Sequence, residues 1–209
     1  MPAKKRMKTN NDKWQLATEV LKKGQVAVIP TDTIYGLVGQ ALNKKTVEKI
    51  YKIKGRKPNK PLIILISSFK DLEKFSIKIT SKEKKILKEI WPGPISVILK
   101  APSKKFEYLH RGTKTLSFRL PANEKLIKLI KKTGPLVAPS ANPEKKEPAR
   151  NTKEAWNYFG EQVPVYLPSD KKLSKYPSSL ISLLAGQINT IRPGQKMAKI
   201  KEIKKDLKI

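Results

Sequence analysis

Short apolar runs recur along the chain and are separated by glycine, proline and charged residues. A continuous apolar run of roughly four to eight residues between turn-forming residues is typical of a buried strand. The runs predict strands at residues 25–29, 36–42, 62–66, 95–99, 115–120, 136–138, 163–167, 180–184 and 188–191.

Apolar residues at helical spacing lie between many of these runs. Trp14, Ala17 and Leu21 predict a first helix, which Asn11 or Asp12 can cap. Further helices are predicted around residues 47–51 and 68–71 and at residues 80–91, 123–134, 151–159 and 196–209.

Polar residues mark where several of these helices should begin. Ser68 with Asp71 and Thr80 with Glu83 have the spacing of a capping box, in which two side chains bond each other's backbone amides. Single N-cap residues are predicted at Asn123 and Asn151. Because strands and helices interleave irregularly, the sequence predicts an α/β fold, a mixed sheet with flanking helices.

The length of 209 residues favours one domain with short terminal extensions. We predict a basic disordered tail at residues 1–10, a folded domain at 11–195 and a basic amphipathic helix at 196–209. That last helix either packs its apolar face on the domain or binds RNA.

Charge and the rare residue types narrow the possible functions. The chain has 46 Lys and Arg against 17 Asp and Glu, a net charge of +29. This charge implies attraction to polyanions such as nucleic acids or nucleotides, unless the lysines only keep the surface soluble.

Cysteine is absent, which excludes disulfides, thiolate metal sites and a cysteine nucleophile. The one histidine, His110, excludes sites built on several histidines, and its polar surroundings predict a surface loop.

Membrane and export signals are missing from the sequence. No apolar run approaches the roughly 20 residues that a membrane-spanning helix needs, and the N-terminal residues lack the apolar segment of a signal peptide. We therefore expect a cytoplasmic protein without a membrane partner.

The sequence KGRKPNKPL at residues 54–62 places two cations beside a predicted strand. Pro58 and Pro61 prevent a helix from continuing, so Lys54 and Arg56 should lie on a stiffened loop at a helix C-terminus. A solvated basic turn is the alternative interpretation in so lysine-rich a chain.

Three other polar groups also follow predicted strands: residues 31–33, Arg119, and Ser140 with Asn142. Ligands of open α/β sheets bind at strand ends. Cations combined with hydroxyl and amide groups suit an anionic ligand, with phosphate the leading candidate. The absence of a clear general base or nucleophile favours phosphoryl or nucleotidyl transfer by positioning and charge stabilisation.

Six motifs in order carry a family resemblance: PTDTIYGL (30–37), KGRKPNKPL (54–62), WPGPISVIL (91–99), LSFRLP (116–121), APSAN (138–142) and IRPG (191–194). Together they resemble the YrdC/TsaC-like L-threonylcarbamoyladenylate synthases in their short, single-domain form. The resemblance implies a twisted sheet with an open basic cavity, and it makes residues 11–195 the catalytic domain.

The resemblance also implies the reaction and its partners. Such a nucleotidyltransferase joins L-threonine, bicarbonate and ATP into threonylcarbamoyl-AMP and releases pyrophosphate. Mg²⁺ would accompany ATP, with no metal ligated by the protein. Other proteins then transfer the threonylcarbamoyl group to tRNA beside the anticodon.

Site residues follow from the resemblance by matching motifs. Those expected to be catalytic are Lys54, Arg56, Ser140 and Asn142. Contacts to threonine are expected from Thr31, Arg119, Ala138 and Ser178. Nucleotide contacts are expected from Lys54, Arg56, Asn59, Thr115, Ser140, Asn142 and Arg192.

Several of these residues also have structural interpretations. Thr31 can cap a turn, Arg119 can pair with a carboxylate, and Arg192 can be a surface residue. The charged segment PEKKEPAR at residues 143–150 departs from the small, glycine-containing segment of the family. A non-catalytic RNA-binding protein of the same fold remains an alternative. A carbamoyl-transfer domain of hydrogenase maturation is disfavoured, because such domains accompany zinc-finger cysteines.

Overall fold

A computed structural model describes residues 10–206, which form nine strands and seven α-helices. The strands are Ala27–Pro30 (β1), Tyr35–Gln40 (β2), Ile63–Leu65 (β3), Ile95–Lys100 (β4), Thr115–Arg119 (β5), Leu136–Val137 (β6), Val165–Tyr166 (β7), Ser179–Leu184 (β8) and Gln187–Arg192 (β9). The helices are Asn10–Lys22 (α1), Lys44–Lys54 (α2), Ser81–Ile90 (α3), Glu107–His110 (α4), Glu124–Thr133 (α5), Thr152–Phe159 (α6) and Met197–Asp206 (α7). The predicted α/β class is confirmed, and the predicted tail lies outside the described residues except for Asn10, which starts α1.

All nine strands belong to one mixed sheet in the order β7-β1-β2-β6-β3-β5-β4-β8-β9 within the described chain. β1 with β7, β3 with β5, and β4 with β8 run parallel, and the remaining neighbours run antiparallel. The short strand β6 lies between β2 and β3 and runs antiparallel to both, so the segment after β6 lies beside the first residues of these two strands.

Two apolar layers cover opposite faces of the sheet. Val28 and Ile64 pack in the larger cluster, whereas their sequence neighbours Ala27, Ile29 and Leu65 pack in the smaller one. This alternation follows from the two-residue repeat of a strand. Helices α1 and α5 pack on the smaller layer, over the half of the sheet that contains β7, β1 and β2.

The same alternation determines on which face of the sheet each side chain of β4, β5 and β8 lies. Val97, Phe118 and Ile181 enter the larger core cluster. Ile98 and Leu180 therefore face the opposite side, where they line an open cavity rather than a helix-covered core. The fold thus leaves one half of one sheet face available to a ligand.

Most helix caps follow the prediction. Thr80 and Glu83 form the predicted capping box, and Asn123 and Asn151 accept hydrogen bonds from amides three residues ahead. The capping box predicted at Ser68 is wrong because its side chain makes no cap hydrogen bond.

Two further local predictions are also corrected. The segment after Ser68 is a 3₁₀ helix, and Asp71 instead accepts hydrogen bonds from the amide and hydroxyl of Ser67 at 2.8 Å and 2.7 Å. Helix α1 begins at Asn10, one residue before the predicted cap Asn11.

His110 is buried, and the prediction of a surface loop residue is wrong. It ends the short helix α4 and is 4% exposed. Its Nδ1 accepts from the Gly112 amide at 3.2 Å, and its Nε2 lies 3.3 Å from the Ser103 carbonyl oxygen. The His110 ring therefore connects the turn after α4 to the segment that precedes this helix.

The C-terminal helix α7 packs on the domain, one of the two arrangements predicted for it. Ile200 and Ile203 are buried in the larger core cluster, and Lys199 Nζ lies 3.4 Å from Glu89 on α3. Residues 207–209 of the predicted helix lie outside the described chain. Between residues 10 and 206, none of the helices has the length and apolar character required to cross a membrane.

Candidate functional site

A cavity of about 460 Å³ opens over the uncovered half of the sheet. Eight of the eleven residues that the sequence nominated line it: Thr31, Arg56, Thr115, Arg119, Ala138, Ser140, Ser178 and Arg192. Lys54, Asn59 and Asn142 are outside this lining.

Strand β5 forms the floor of the cavity through Thr115, Ser117 and Arg119, which alternate along one face. Arg119 is 4% exposed. Its Nη1 donates to Thr33 Oγ1 at 3.0 Å, and its Nη2 forms an ion pair with Asp32 Oδ1 at 3.3 Å. That contact is an ion pair without a hydrogen bond, because Asp32 Oδ1 has no hydrogen-bond partner among the described residues.

Burial lowers the pKa of Arg119, and the nearby Asp32 carboxylate opposes that shift. The predicted alternative for Arg119, pairing with a carboxylate, is therefore present in the fold. The buried Nε of Arg119 has no hydrogen-bond partner among the described residues, and the residue lines the cavity.

The loop after β1 uses its own hydroxyl groups to hold its shape. Thr31 Oγ1 accepts from the Thr33 amide at 3.1 Å and donates to the Ile34 carbonyl at 2.7 Å. Thr31 thus caps this turn, as its structural interpretation predicted, and it also lines the cavity. The hydroxyl of Thr33 fixes Arg119 and connects this loop to β5.

On the opposite side, Arg192 reaches across to Ser178. Its Nη2 donates to the Ser178 carbonyl at 2.9 Å, while Ser178 Oγ lies 2.9 Å from Ser96 Oγ. The turn after Arg192 needs glycine, because a Cβ on Gly194 would lie 2.7 Å from the Pro177 carbonyl oxygen. This close approach places the IRPG turn directly on the segment that carries Ser178.

Arg56 completes a group of three guanidinium side chains on the cavity. Its Nε and Nη2 donate to the carbonyls of Lys60 and Pro61 at 3.0 Å and 3.1 Å. Burial lowers the pKa of Arg192, and the positive charges of Arg119 and Arg56 lower it further. Arg192 Nε has no hydrogen-bond partner within residues 10–206. Such crowding of cations favours an anionic ligand.

The prediction that Lys54 lies on the loop is wrong. Lys54 is the last residue of α2 and is 3% exposed, and the left-handed Gly55 (φ 60°) ends the helix after it. Its Nζ donates to the carbonyls of Ser140 and Asn142 at 2.7 Å and 2.5 Å. Burial lowers the pKa of Lys54 to about 8, with a further lowering by Arg56. Lys54 therefore holds the segment that bears Ser140.

The APSAN segment runs from β6 along the cavity rim. The Ala138 amide donates to the Ile63 carbonyl at 2.8 Å, and the Ala141 amide donates to the Tyr35 carbonyl at 3.0 Å. Asn142 accepts from Lys54 at 3.3 Å and donates to the Pro143 carbonyl at 3.0 Å. The side chain of Asn142 therefore supports the rim and does not line the cavity.

Glu144 ties the charged segment 143–150 to the loop 54–62. It accepts from the Lys57 amide at 2.7 Å and pairs with Lys60 Nζ at 2.5 Å. The hydrogen bond from Lys60 holds the pKa of Glu144 below its ordinary value. Asn59, on the same loop, is exposed and is not among the residues that line the cavity.

Sequence reasoning did not nominate Ser117, Ile98 or Tyr35, which also line the cavity. The two-residue repeat of β5 was a usable signal for Ser117, because Thr115 and Arg119 were already nominated on the same strand. No local pattern distinguishes Ile98 or Tyr35 from ordinary core residues.

Comparison with known proteins decides the family. The Sua5/YciO/YrdC family model, described as "Telomere recombination", matches residues 19–194. The chain belongs to the Sua5/YciO/YrdC family. This membership agrees with the resemblance found in the six sequence motifs.

Members with assigned names support the same placement. Threonylcarbamoyl-AMP synthase of Methylobacillus flagellatus is 33% identical over 175 residues, which cover 83% of this chain and 95% of that protein. Threonylcarbamoyl-AMP synthase of Pyrococcus abyssi is 30% identical over 183 residues, which cover 87% of this chain and 54% of the relative. The chain thus spans about half the length of this member of the Sua5/YciO/YrdC family.

Solved structures of family members share the fold. The structure of P. abyssi Sua5 complexed with L-threonine superposes with a TM-score of 0.83 at 30% identity. The match covers 92% of this chain and 56% of that one. The YrdC-like fold predicted from the motifs is therefore confirmed.

Proposed function

We propose that this protein synthesises L-threonylcarbamoyl-AMP from L-threonine, bicarbonate and ATP, with release of pyrophosphate. The main support is the cavity of about 460 Å³, which is lined by three guanidinium groups and several hydroxyl groups. The named relatives are threonylcarbamoyl-AMP synthases, and one structural neighbour was solved with L-threonine.

The chemistry needs little more than binding and charge stabilisation. The threonine nitrogen bonds to the bicarbonate carbon as water leaves, and this forms a carbamate. A carbamate oxygen then bonds to the α-phosphorus of ATP, while the bond from that phosphorus to the bridging oxygen breaks and pyrophosphate departs. Negative charge gathers at both steps, and cations fixed before the reaction stabilise it.

We propose distinct roles for the lining residues. Arg119, Ser178, Thr31 and Ala138 would form the threonine end, and Thr115 with Arg192 would contact the nucleotide. Arg56 and Ser140 would contact the phosphates, whereas Lys54 and Asn142 would act by holding the rim. Asn59, which does not line the cavity, remains a predicted nucleotide contact.

Magnesium is proposed as a companion of ATP rather than as a protein cofactor. Within the described chain, no group of three or more His, Cys, Asp or Glu side chains is arranged to hold a metal. The phosphate oxygens of ATP are suitable Mg²⁺ ligands. The ion would add positive charge at the triphosphate.

Release of pyrophosphate tests the proposal directly. We expect release from ATP only when threonine and bicarbonate are both present, with threonylcarbamoyl-AMP detected by mass spectrometry. Release that is independent of threonine would contradict the proposed reaction. Absence of release, combined with RNA binding, would support the alternative of a non-catalytic RNA-binding protein.

We further propose that the protein acts in the cytoplasm and binds tRNA or double-stranded RNA, while separate proteins transfer the threonylcarbamoyl group.

With a net charge of +29, RNA binding should depend mainly on phosphate contacts. The logarithm of the affinity should fall linearly with the logarithm of salt concentration, by about 0.9 per phosphate neutralised on a duplex. Fluorescence anisotropy with labelled tRNA measures this slope, and a flat response would assign the lysines to solubility alone.

A further inference from the structure

Ser117 is a buried serine on the cavity floor, and its hydroxyl has no hydrogen-bond partner among residues 10–206. It is 7% exposed. Its neighbours across the sheet are Ile63 on β3 and Ile98 on β4, whose side chains carry no polar atoms. A buried hydroxyl without a partner lowers stability, so a ligand, an ion or an ordered water is expected to satisfy it.

The position of Ser117 along β5 indicates what it meets. Residues two apart on a strand are separated by roughly 7 Å, and Ser117 lies between Arg119 and Thr115 on the cavity face. Arg119 belongs to the proposed threonine end and Thr115 to the nucleotide end. In threonylcarbamoyl-AMP, the carbamoyl group is the part that joins these two ends.

We propose that the Ser117 hydroxyl donates a hydrogen bond to bicarbonate and then to the carbamoyl oxygen derived from it. This inference rests on the proposed function. A hydroxyl suits the role because it donates without adding charge, and an anionic acceptor strengthens its hydrogen bond. Bicarbonate has few atoms for the protein to hold, so one lost donor should weaken its binding strongly.

The test is a comparison of KM values in Ser117→Ala. We expect the KM for bicarbonate to rise about tenfold or more, while the KM values for threonine and ATP change less than about threefold. The melting temperature should stay equal or rise, because alanine removes an unsatisfied buried hydroxyl. Ser182→Ala is the matched control, since Ser182 is also a buried serine, on β8 two strands away from β5, but does not line the cavity.

Each outcome bears on a different claim. If the wild-type protein releases pyrophosphate and Ser117→Ala has an unchanged KM for bicarbonate, the role of Ser117 is wrong and the proposed function stands. An equal rise of all three KM values, or a lowered melting temperature, would show that Ser117 supports the fold instead. If the wild-type protein shows no threonine-dependent release, the proposed function itself fails.

Discussion

Replacing Arg119 with methionine should lower kcat/KM for threonine by roughly 10²–10³-fold. The guanidinium is fixed on two sides by Thr33 and Asp32. Its Nε remains without a hydrogen-bond partner in the described chain and lies on a cavity-lining residue. Methionine has a similar length but no donor and no charge, so the variant loses the contact to threonine that we propose for Arg119. Pyrophosphate release at varied threonine concentration measures the change.

The same substitution should also lower stability, because it leaves Asp32 without its cation. The Asp32 side chain is 8% exposed, and its Oδ2 accepts only a 3.2 Å hydrogen bond from the Ala122 amide among the bonds found in residues 10–206. Breaking a buried ion pair by removing one partner costs about 3–5 kcal/mol. Chemical denaturation of both proteins measures this difference.

A double variant separates the two effects of Arg119. Arg119→Met combined with Asp32→Asn should regain part of the lost stability, because no unpaired buried charge remains, and it should stay inactive. Arg111→Met is the matched control: Arg111 pairs with Glu48 at 2.9 Å and does not line the cavity, and its loss should leave kcat/KM nearly unchanged. Recovery of activity in the double variant would show that Arg119 serves only to neutralise Asp32.

The strands were predictable because each apolar run is long enough to be buried and ends at a turn-forming residue. The run at residues 62–66 became β3, and the run at 95–99 became β4, with small changes at the ends. The order of the strands was not predictable in this way. The insertion of β6 between β2 and β3 depends on pairings between residues distant in sequence, which no local pattern encodes.

Site residues were predictable where they belong to a recognisable sequence motif. The motifs identified Arg119, Ser140 and Arg192, which line one cavity, while their roles in binding and catalysis stay predictions. Lys54 was misplaced because a basic residue beside glycine and proline resembles a surface loop. Its burial follows from the carbonyls of Ser140 and Asn142, which become its acceptors only after the chain has folded.

The burial of Lys54 predicts the direction in which the free energy of unfolding changes with pH. Its pKa is about 8 in the folded protein, against an ordinary value of 10.5. Between these two values, Lys54 carries a proton in the unfolded chain and has lost it in the folded chain. Because the unfolded state then binds more protons, Lys54 makes the free energy of unfolding rise with pH across this interval. Below about pH 8 both states are protonated, and the cost of burying the charge is constant.

The free energy of unfolding of the wild-type protein should therefore increase relative to Lys54→Met as the pH is raised from about 8 to 10.5. The full gain should be roughly 3 kcal/mol, at about 1.4 kcal/mol per pH unit. Methionine fills a similar space but cannot titrate, so the subtraction removes the contribution of the other lysines. Urea denaturation of both proteins at several pH values measures the difference, and Lys52→Met, on the exposed side of the same helix, is the control for loss of one lysine. A relative loss of wild-type stability with rising pH would mean that the carbonyl acceptors outweigh burial and that the ammonium group is stabilised by the fold.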